Sequence, residues 1–364
     1  MSQLFSPFEI KSLKLKNRLM RSATTSYWSD ENGILRDPIL NYYEKLARGG
    51  VGLIIKGHSY INKNGKAHTG QSGLADQKHV PRMKELTNIV HSNGVGFIAQ
   101  LNHAGYAAKA DRITASNYKR ENWEARGATR EEIEEIINDF AHSATIALQA
   151  NFDGVQIHAA HGYLISQFLS NHVNQREDQY GGTLKNRARI LLEVYDAIRN
   201  QIGKQTIIGV KLNCDDFAKE GGLRIDDSIQ IIGWLIEKGI DFVEISGGGP
   251  EQVKEVRETR ARADEDSGYY EATFAGHVEK IRKAFPSQPL AIVDSIRRRT
   301  TMDKLLTENV VDLISMSKPY IIEPDFPNRL ANGQKKSACI DCGKCVSREY
   351  FGKMMLQCHY SPSN

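Results

Sequence analysis

Gly154-Val155-Gln156-Ile157-His158-Ala159-Ala160-His161-Gly162-Tyr163 begins as a short, mostly apolar run and ends in two histidines and a tyrosine. A run of this length with apolar residues on both faces reads as a strand buried on both sides, as in a parallel sheet. The same pattern recurs along the chain at 17–22, 51–56, 95–101, 207–212, 242–246, 290–294 and 312–316. Amphipathic helical patterns lie between these runs, at 81–92, 130–149, 184–202, 225–238, 273–284 and 300–309. The 130–149 pattern follows Thr129 and carries an acidic first turn, an N-cap arrangement. Eight strands alternating with helices predict an α/β fold, a single closed (β/α)8 barrel over residues 1–335. An open dinucleotide-binding sheet would need a G-x-G-x-x-G turn after a strand, and the sequence has none.

The bulk properties agree with one large soluble unit. Of 364 residues, 40% are hydrophobic and 25% charged, enough for a sizeable core. The net charge is +4 and the basic residues are dispersed; the run Arg297-Arg298-Arg299 is too short to make a nucleic-acid surface. No stretch reaches the roughly 18 apolar residues of a membrane span. Met1-Ser2-Gln3-Leu4-Phe5 does not read as a secretory signal, so the expectation is a cytoplasmic protein without a membrane partner. Of five cysteines, Cys339, Cys342, Cys345 and Cys358 crowd into a terminal segment, 336–364, outside the barrel count. In a reducing compartment such clustering suggests metal binding more than disulfides.

A barrel builds its active site at the C-terminal ends of its strands. That rule selects Ser22 to Thr25, Lys56-Gly57, Gln100, His158, Lys211, Ser246, Asp294 and Ser317-Lys318. Two neutral imidazoles at the mouth, His158 and His161, can donate to one oxygen, and Tyr163 behind them is a proton donor of high pKa. The competing reading makes one histidine a satisfied structural residue. A metal pair is disfavoured, because H-x-x-H in a loop lacks the helical spacing of zinc proteases. Lys211, at the end of an apolar strand, favours function over a solvated surface role. Phe140 and Phe168 read as core and pocket wall. Arg257, Arg260 and Arg262 read as a solvated loop, with a lid over the barrel mouth as the sharper alternative.

With its surroundings, the 154–163 block resembles the Old Yellow Enzyme family of NAD(P)H:flavin oxidoreductases. The matching residues are Ser170-Asn171, Arg176 to Thr183 and Asn186-Arg187, then Leu15 to Arg18, Ala99 to Gly105, Asp312 to Pro319, Glu323-Pro324-Asp325 and Pro327, across about residues 3–335. The resemblance implies FMN across the barrel mouth, with NADH or NADPH as hydride donor and an electron-poor, carbonyl-conjugated alkene as acceptor, in ping-pong order. It implies His158 and His161 as donors to the substrate carbonyl, Tyr163 as proton donor and Tyr27 in the substrate pocket. Flavin contacts are implied for Ser22, Ala23, Thr24, Thr25, Gly57, Gln100, His158 and Lys211, with the phosphate at Asp294, Ser295, Ser317 and Lys318. Thr25 stands where members tune the flavin, and Gly57 where backbone would approach the ring. Lys211 replaces a frequent Arg, keeping charge without the planar fork. Asp294 and Ser295 replace paired glycines, so a carboxylate beside phosphate must turn away or pair with a cation. The spacing of Cys339, Cys342, Cys345 and Cys358 resembles that in trimethylamine dehydrogenase and 2,4-dienoyl-CoA reductase, which carry a [4Fe–4S] cluster; zinc and free thiols stay open. The sequence continues only to Asn364 after Cys358, so the expectation is a cluster without the internal second-domain partner of the longer relatives. A flavin-dependent amine or C–N dehydrogenase and a non-catalytic flavin/metal electron-transfer module are the rival functions. Barrels of the family often assemble, so a homo-oligomer is compatible.

Overall fold

The computed structural model describes residues 3–249, 271–347, 349–350 and 354–360. A hairpin, β1 (Phe8–Ile10) antiparallel to β2 (Leu13–Leu15), precedes β3 (Leu19–Arg21), α1 (Asp37–Arg48), β4 (Leu53–Tyr60), α2 (Val80–His91) and β5 (Gly96–Asn102). An excursion of three short strands follows: β6 (Ile113–Thr114), β7 (Tyr118–Arg120) and β8 (Trp123–Gly127). Then come α3 (Arg130–Gln149), β9 (Gly154–Ala159), α4 (Leu164–Leu169), α5 (Leu184–Ile202), β10 (Ile207–Asn213), α6 (Ile225–Glu237) and β11 (Phe242–Ser246). The chain finishes the barrel with α7 (Ala275–Ala284), β12 (Leu290–Val293), α8 (Arg299–Thr307), β13 (Leu313–Met316), α9 (Lys318–Ile322) and α10 (Phe326–Ala331). Strands β3, β4, β5, β9, β10, β11, β12 and β13 close a barrel in that order, and each neighbouring pair is parallel. The segment with Arg257, Arg260 and Arg262 lies outside the described residues.

The eight expected strands are the eight barrel strands, with ends that differ by a few residues. The largest difference is β4, which runs on to Tyr60 through a register shift between Lys56 and Ser59. A bulge there re-aims the His58 side chain relative to the strand below. Helix α1 has no counterpart in the sequence reading. It starts with Pro38 in its first turn and buries Ile39, Leu40, Tyr43, Leu46 and Ala47 along one face. The Thr129 cap is a full capping box: Thr129 Oγ1 accepts from Glu132 N at 3.2 Å, and Glu132 Oε2 accepts from Thr129 N at 2.8 Å.

Alternation along the strands sorts the barrel interior into layers. At the N-terminal end Met20, Leu53, Ile55, Ile98, Ile207, Phe242, Ala291 and Leu313 form an apolar plug, sealed below by Ile10 and Leu15 of the hairpin. One step up on the same face, the inward residues of five strands are polar: Ser22, Gln100, Gln156, Glu244 and Ser315, all buried. The helices pack outside the strands on a separate apolar cluster, to which Phe140, Phe168 and Tyr195 contribute.

The terminal segment is fastened to the barrel. Glu323 accepts from Ser337 Oγ (2.6 Å), Ala338 N (2.8 Å) and Gln334 Nε2 (2.9 Å), and Arg298 bridges to Lys336. Farther on, Leu356 N donates to Ser26 O at 3.2 Å, and Leu356 joins the outer core. Among the described residues no helix is long and apolar enough to cross a membrane.

Candidate active site

The polar layer is one connected network around Glu244. Ser22 Oγ and Ser315 Oγ each donate to Glu244 Oε1 at 2.7 Å, and Gln156 Nε2 donates to Oε2 at 2.9 Å. Gln156 Oε1 in turn accepts from Gln100 Nε2 at 2.7 Å. Lys211 Nζ donates to Ser22 Oγ at 2.8 Å and lies 3.4 Å from Glu244 Oε1. Strand register sets these neighbours: Lys211 stands beside His158 on one side and Glu244 on the other. Burial pulls the Lys211 pKa below the usual lysine range, and Glu244 opposes that shift. The site is thus a cation presented to the mouth from above a buried carboxylate. Gln156, Glu244 and Ser315 were absent from the sequence-based list. Their signal was a polar residue at an inward position of an otherwise apolar strand.

Above this floor His158, His161 and Tyr163 close on one another. The His158 ring centroid lies 5.2 Å from that of His161 and 4.9 Å from Tyr163. His161 adopts φ +61°, its amide donates to Asn213 Oδ1, and its Nε2 is 2.7 Å from Ser246 Oγ. Burial is the first cause that holds both imidazoles neutral. It pushes His161 down to about 3, with Lys211 and His58 adding, and moves His158 well below the ordinary value, with His161, His58 and Lys211 adding. Burial pushes the Tyr163 hydroxyl up to about 12, so it keeps its proton. Tyr27 is raised by burial and then by Tyr163, and its ring lies 4.0 Å from His68. His158 Nδ1 is buried without a hydrogen-bond partner among the described residues.

A cavity of about 220 Å³ runs from His161, Lys211 and Ser246 past Ser22 and Ala23 to Ser295, Arg297, Ser317 and Lys318. The far end departs from the sequence reading at Lys318 and Arg297, whereas Asp294 still lines the cavity and turns a carboxylate oxygen aside, one of the two arrangements expected of it. Asp294 directs Oδ2 to Thr273 Oγ1 (2.5 Å) and Phe274 N (3.0 Å), so its carboxylate fixes the segment leading into α7. Lys318 forms an ion pair with Asp341 of the terminal segment. Arg297, read earlier only as part of a short basic run, lines the cavity with its Nε held by Glu271 at 3.2 Å. Ser295 has φ +49°, and its buried Oγ lacks a partner among the described residues. Thr24 Oγ1 lies 2.8 Å from Ser317 Oγ, and Arg21 Nη1 donates to Ser317 O at 2.6 Å. A Cβ at Gly57 would overlap the Thr24 carbonyl oxygen, so glycine there answers to packing between two strand ends. Thr25 Oγ1 lies 2.5 Å from His58 Nε2. No sequence signal singled out His58 or His68.

Cys339, Cys342, Cys345 and Cys358 line one small apolar pocket, and Cys339 lines the larger cavity too. Burial pushes Cys345 up to about 11; Lys318 opposes this, and the other three thiols add to it. Among the described residues no three such side chains stand in single-ion coordination geometry. The thiols are all unbridged.

A family model, the NADH:flavin oxidoreductase / NADH oxidase family, matches residues 3–337. An NADH oxidase of Thermoanaerobacter brockii is 30% identical over 99% of this chain and 56% of its own length. An NADPH dehydrogenase of Listeria welshimeri is 32% identical, over 90% of this chain and 93% of that one. The chain therefore spans about half the length of the first relative and nearly all of the second. Among solved structures, a 2-naphthoyl-CoA reductase in complex with 2-naphthoyl-CoA superposes with TM-score 0.88 at 25% identity, over 98% of this chain and 56% of that one. The old yellow enzyme homologue of Zymomonas mobilis superposes with TM-score 0.76 at 26% identity, over 93% and 95%. The barrel, the matched span and these relatives together mean that the chain belongs to the NADH:flavin oxidoreductase family, that of Old Yellow Enzyme.

Proposed function

We propose that the chain is an FMN-dependent NAD(P)H oxidoreductase that reduces alkenes conjugated to a carbonyl. The carrying observation is the buried, neutral His158–His161 pair with Tyr163 against His158, of which His161 lines one end of the cavity together with Lys211. The cavity fits FMN on its own terms: a cation over a carboxylate at the ring end, Ser295, Arg297 and Ser317 at the other, and at that end the buried Ser295 Oγ without a partner among the described residues. A bound FMN supplies hydride exchange, from nicotinamide and then to the β-carbon of the alkene. Lys211 holds positive charge where negative charge gathers during that exchange. His158 and His161, being neutral, donate to the substrate oxygen without themselves losing a charge, and stabilise it best as it becomes enolate-like. Tyr163 retains its proton until the adjacent carbon takes it. Purified protein should be yellow, bleach anaerobically with NADH or NADPH, and recover colour with cyclohexenone or maleimide. Colourless protein that takes up no FMN refutes the reading. Bleaching by methylated amines without alkene turnover would make it an amine dehydrogenase instead, and reversible bleaching without turnover an electron-transfer module.

The four thiols around one pocket support a [4Fe–4S] cluster as a second redox centre beside the large cavity, since Cys339 and Lys318 border both. Iron analysis with the visible spectrum of anaerobically purified protein tests this. Zinc without iron reassigns the site, and metal-free protein with four titratable thiols refutes it.

A further inference from the structure

A chain of hydrogen bonds behind Thr25 has a defined direction. It starts at a backbone amide, which can only donate: Ala67 N donates to Gln71 Oε1 at 2.7 Å. That contact fixes the amide of Gln71, so the group facing His58 Nδ1 at 2.7 Å is the Gln71 NH2. Asn102 Nδ2 approaches the same nitrogen at 3.4 Å. Nδ1 therefore accepts. The ring is neutral, because burial, then Lys56 and Lys211, push its pKa down to about 3. A neutral imidazole that accepts at Nδ1 carries its proton on Nε2. Nε2 lies 2.5 Å from Thr25 Oγ1, so it donates to the hydroxyl, and the Thr25 proton must point away from His58.

We propose that His58 acts as a positioning residue, locked by Gln71 in the Nε2–H tautomer, that aims the Thr25 hydroxyl proton at the flavin and so raises the flavin's electron affinity. Thr25, His58 and Gln71 line a second, smaller pocket and not the cavity that ends at Lys211, so the tuning rests on the flavin reading above, extended to bring the ring against Thr25. His58 is placed for this by the bulge in β4, which turns its ring to within 5.2 Å of Tyr163 and 6.1 Å of His158. A hydroxyl that had to donate back to His58 would offer the ring only lone pairs. A directed donor stabilises the reduced, electron-rich ring, and a lost one destabilises it.

The test uses flavin-loaded protein. His58→Leu should favour the oxidised flavin about tenfold, about 30 mV for a two-electron couple. His58→Gln should restore the potential, because its amide can accept from Gln71 and donate to Thr25. Thr25→Val should lower the potential by the same amount, and adding His58→Leu to it should change nothing further. Gln71→Met gives a second route should His58→Leu not fold: with the lock gone the potential falls while His58 remains. Nitrogen-15 NMR of histidine-labelled protein, with His58 assigned by its loss in a His58 variant, should show Nε2 protonated and Nδ1 bare. A proton on Nδ1, an unchanged potential in His58→Leu, or effects that add in the double variant overturn the proposal. Protein that takes up no flavin overturns the flavin reading and the tuning with it, and NMR still reports the tautomer separately.

Discussion

Glu244→Gln tests the central network, because it removes one charge and almost no volume. Glu244 accepts from Ser22, Ser315 and Gln156 and stands 3.4 Å from Lys211. Among the described residues no other carboxylate lies within ion-pair distance of Lys211. Breaking one side of a buried pair costs about 3–5 kcal/mol. Lysine has an escape, which is to shed its proton. Bringing a group of pKa about 10.4 to neutrality at pH 7 costs roughly 5 kcal/mol, so the loss has a ceiling near that figure. Against a net stability of about 5–15 kcal/mol, the variant should fold but unfold at much lower urea. The pH dependence identifies the cause. In the variant the folded pKa of Lys211 lies well below its unfolded value, so the penalty is full at low pH and shrinks as pH rises toward about 10. Between pH 7 and 9 the variant should regain up to about 3 kcal/mol relative to the parent protein. Pairing Glu244→Leu with Lys211→Met should recover most of the loss, since neither charge is then stranded. A loss under about 1 kcal/mol at pH 7, flat to pH 9, would refute the view that Glu244 is the counter-ion on which Lys211 depends.

Three further outcomes follow from the same geometry. His58 and His161 (about 3), His68 (about 2), His103 (about 4) and His158 are held neutral by burial; each is protonated on unfolding below about 6.5, so stability is full above that pH and falls below it, by about 2 kcal/mol per histidine at pH 5. Urea midpoints measured from pH 8 to 5 should drop steeply, and a flat profile would contradict the neutral assignments. Tyr163→Phe should slow reoxidation of the flavin by alkene about 10²-fold or more in stopped flow, with reduction by NADPH nearly unchanged, whereas His158→Ala should weaken phenolic ligands about tenfold; equal slowing of both half-reactions by Tyr163→Phe would remove its proton-donor role. Glu323→Ala should free the terminal segment by removing a charged acceptor with three partners, worth about 1.5–3 kcal/mol per bond, and speed thiol labelling of Cys339 in metal-free protein at least tenfold with the helical signal of the barrel intact; unchanged labelling would show that the segment is held elsewhere.

The strands were legible because parallel barrel strands are apolar on both faces, so each stands out against the amphipathic helices around it. Helix α1 was passed over although Ile39, Leu40, Tyr43, Leu46 and Ala47 recur at helical spacing; Pro38 at its start reads as a breaker unless the first turn is recognised. What a linear reading could not supply is direction. Asp294 looked like a carboxylate in a phosphate site, and only the fold shows it turned to Thr273 and Phe274, more than 15 residues away in sequence. Lys318 is met by Asp341 for the same reason, and His58 enters the site only because a bulge re-aims it. Gln156, Glu244 and Ser315 are a different case, since their signal was present. Each is a polar residue two steps along an apolar strand, at inward parity, where burial without partners would cost several kcal/mol. One such residue could be an accident of packing. On several neighbouring strands at one height, they can be tolerated only if they bond one another, and that condition alone predicts a connected polar floor beneath the mouth. The barrel's chemistry is therefore written a layer below its strand ends, in the residues that hold Lys211 and Gln100 in place.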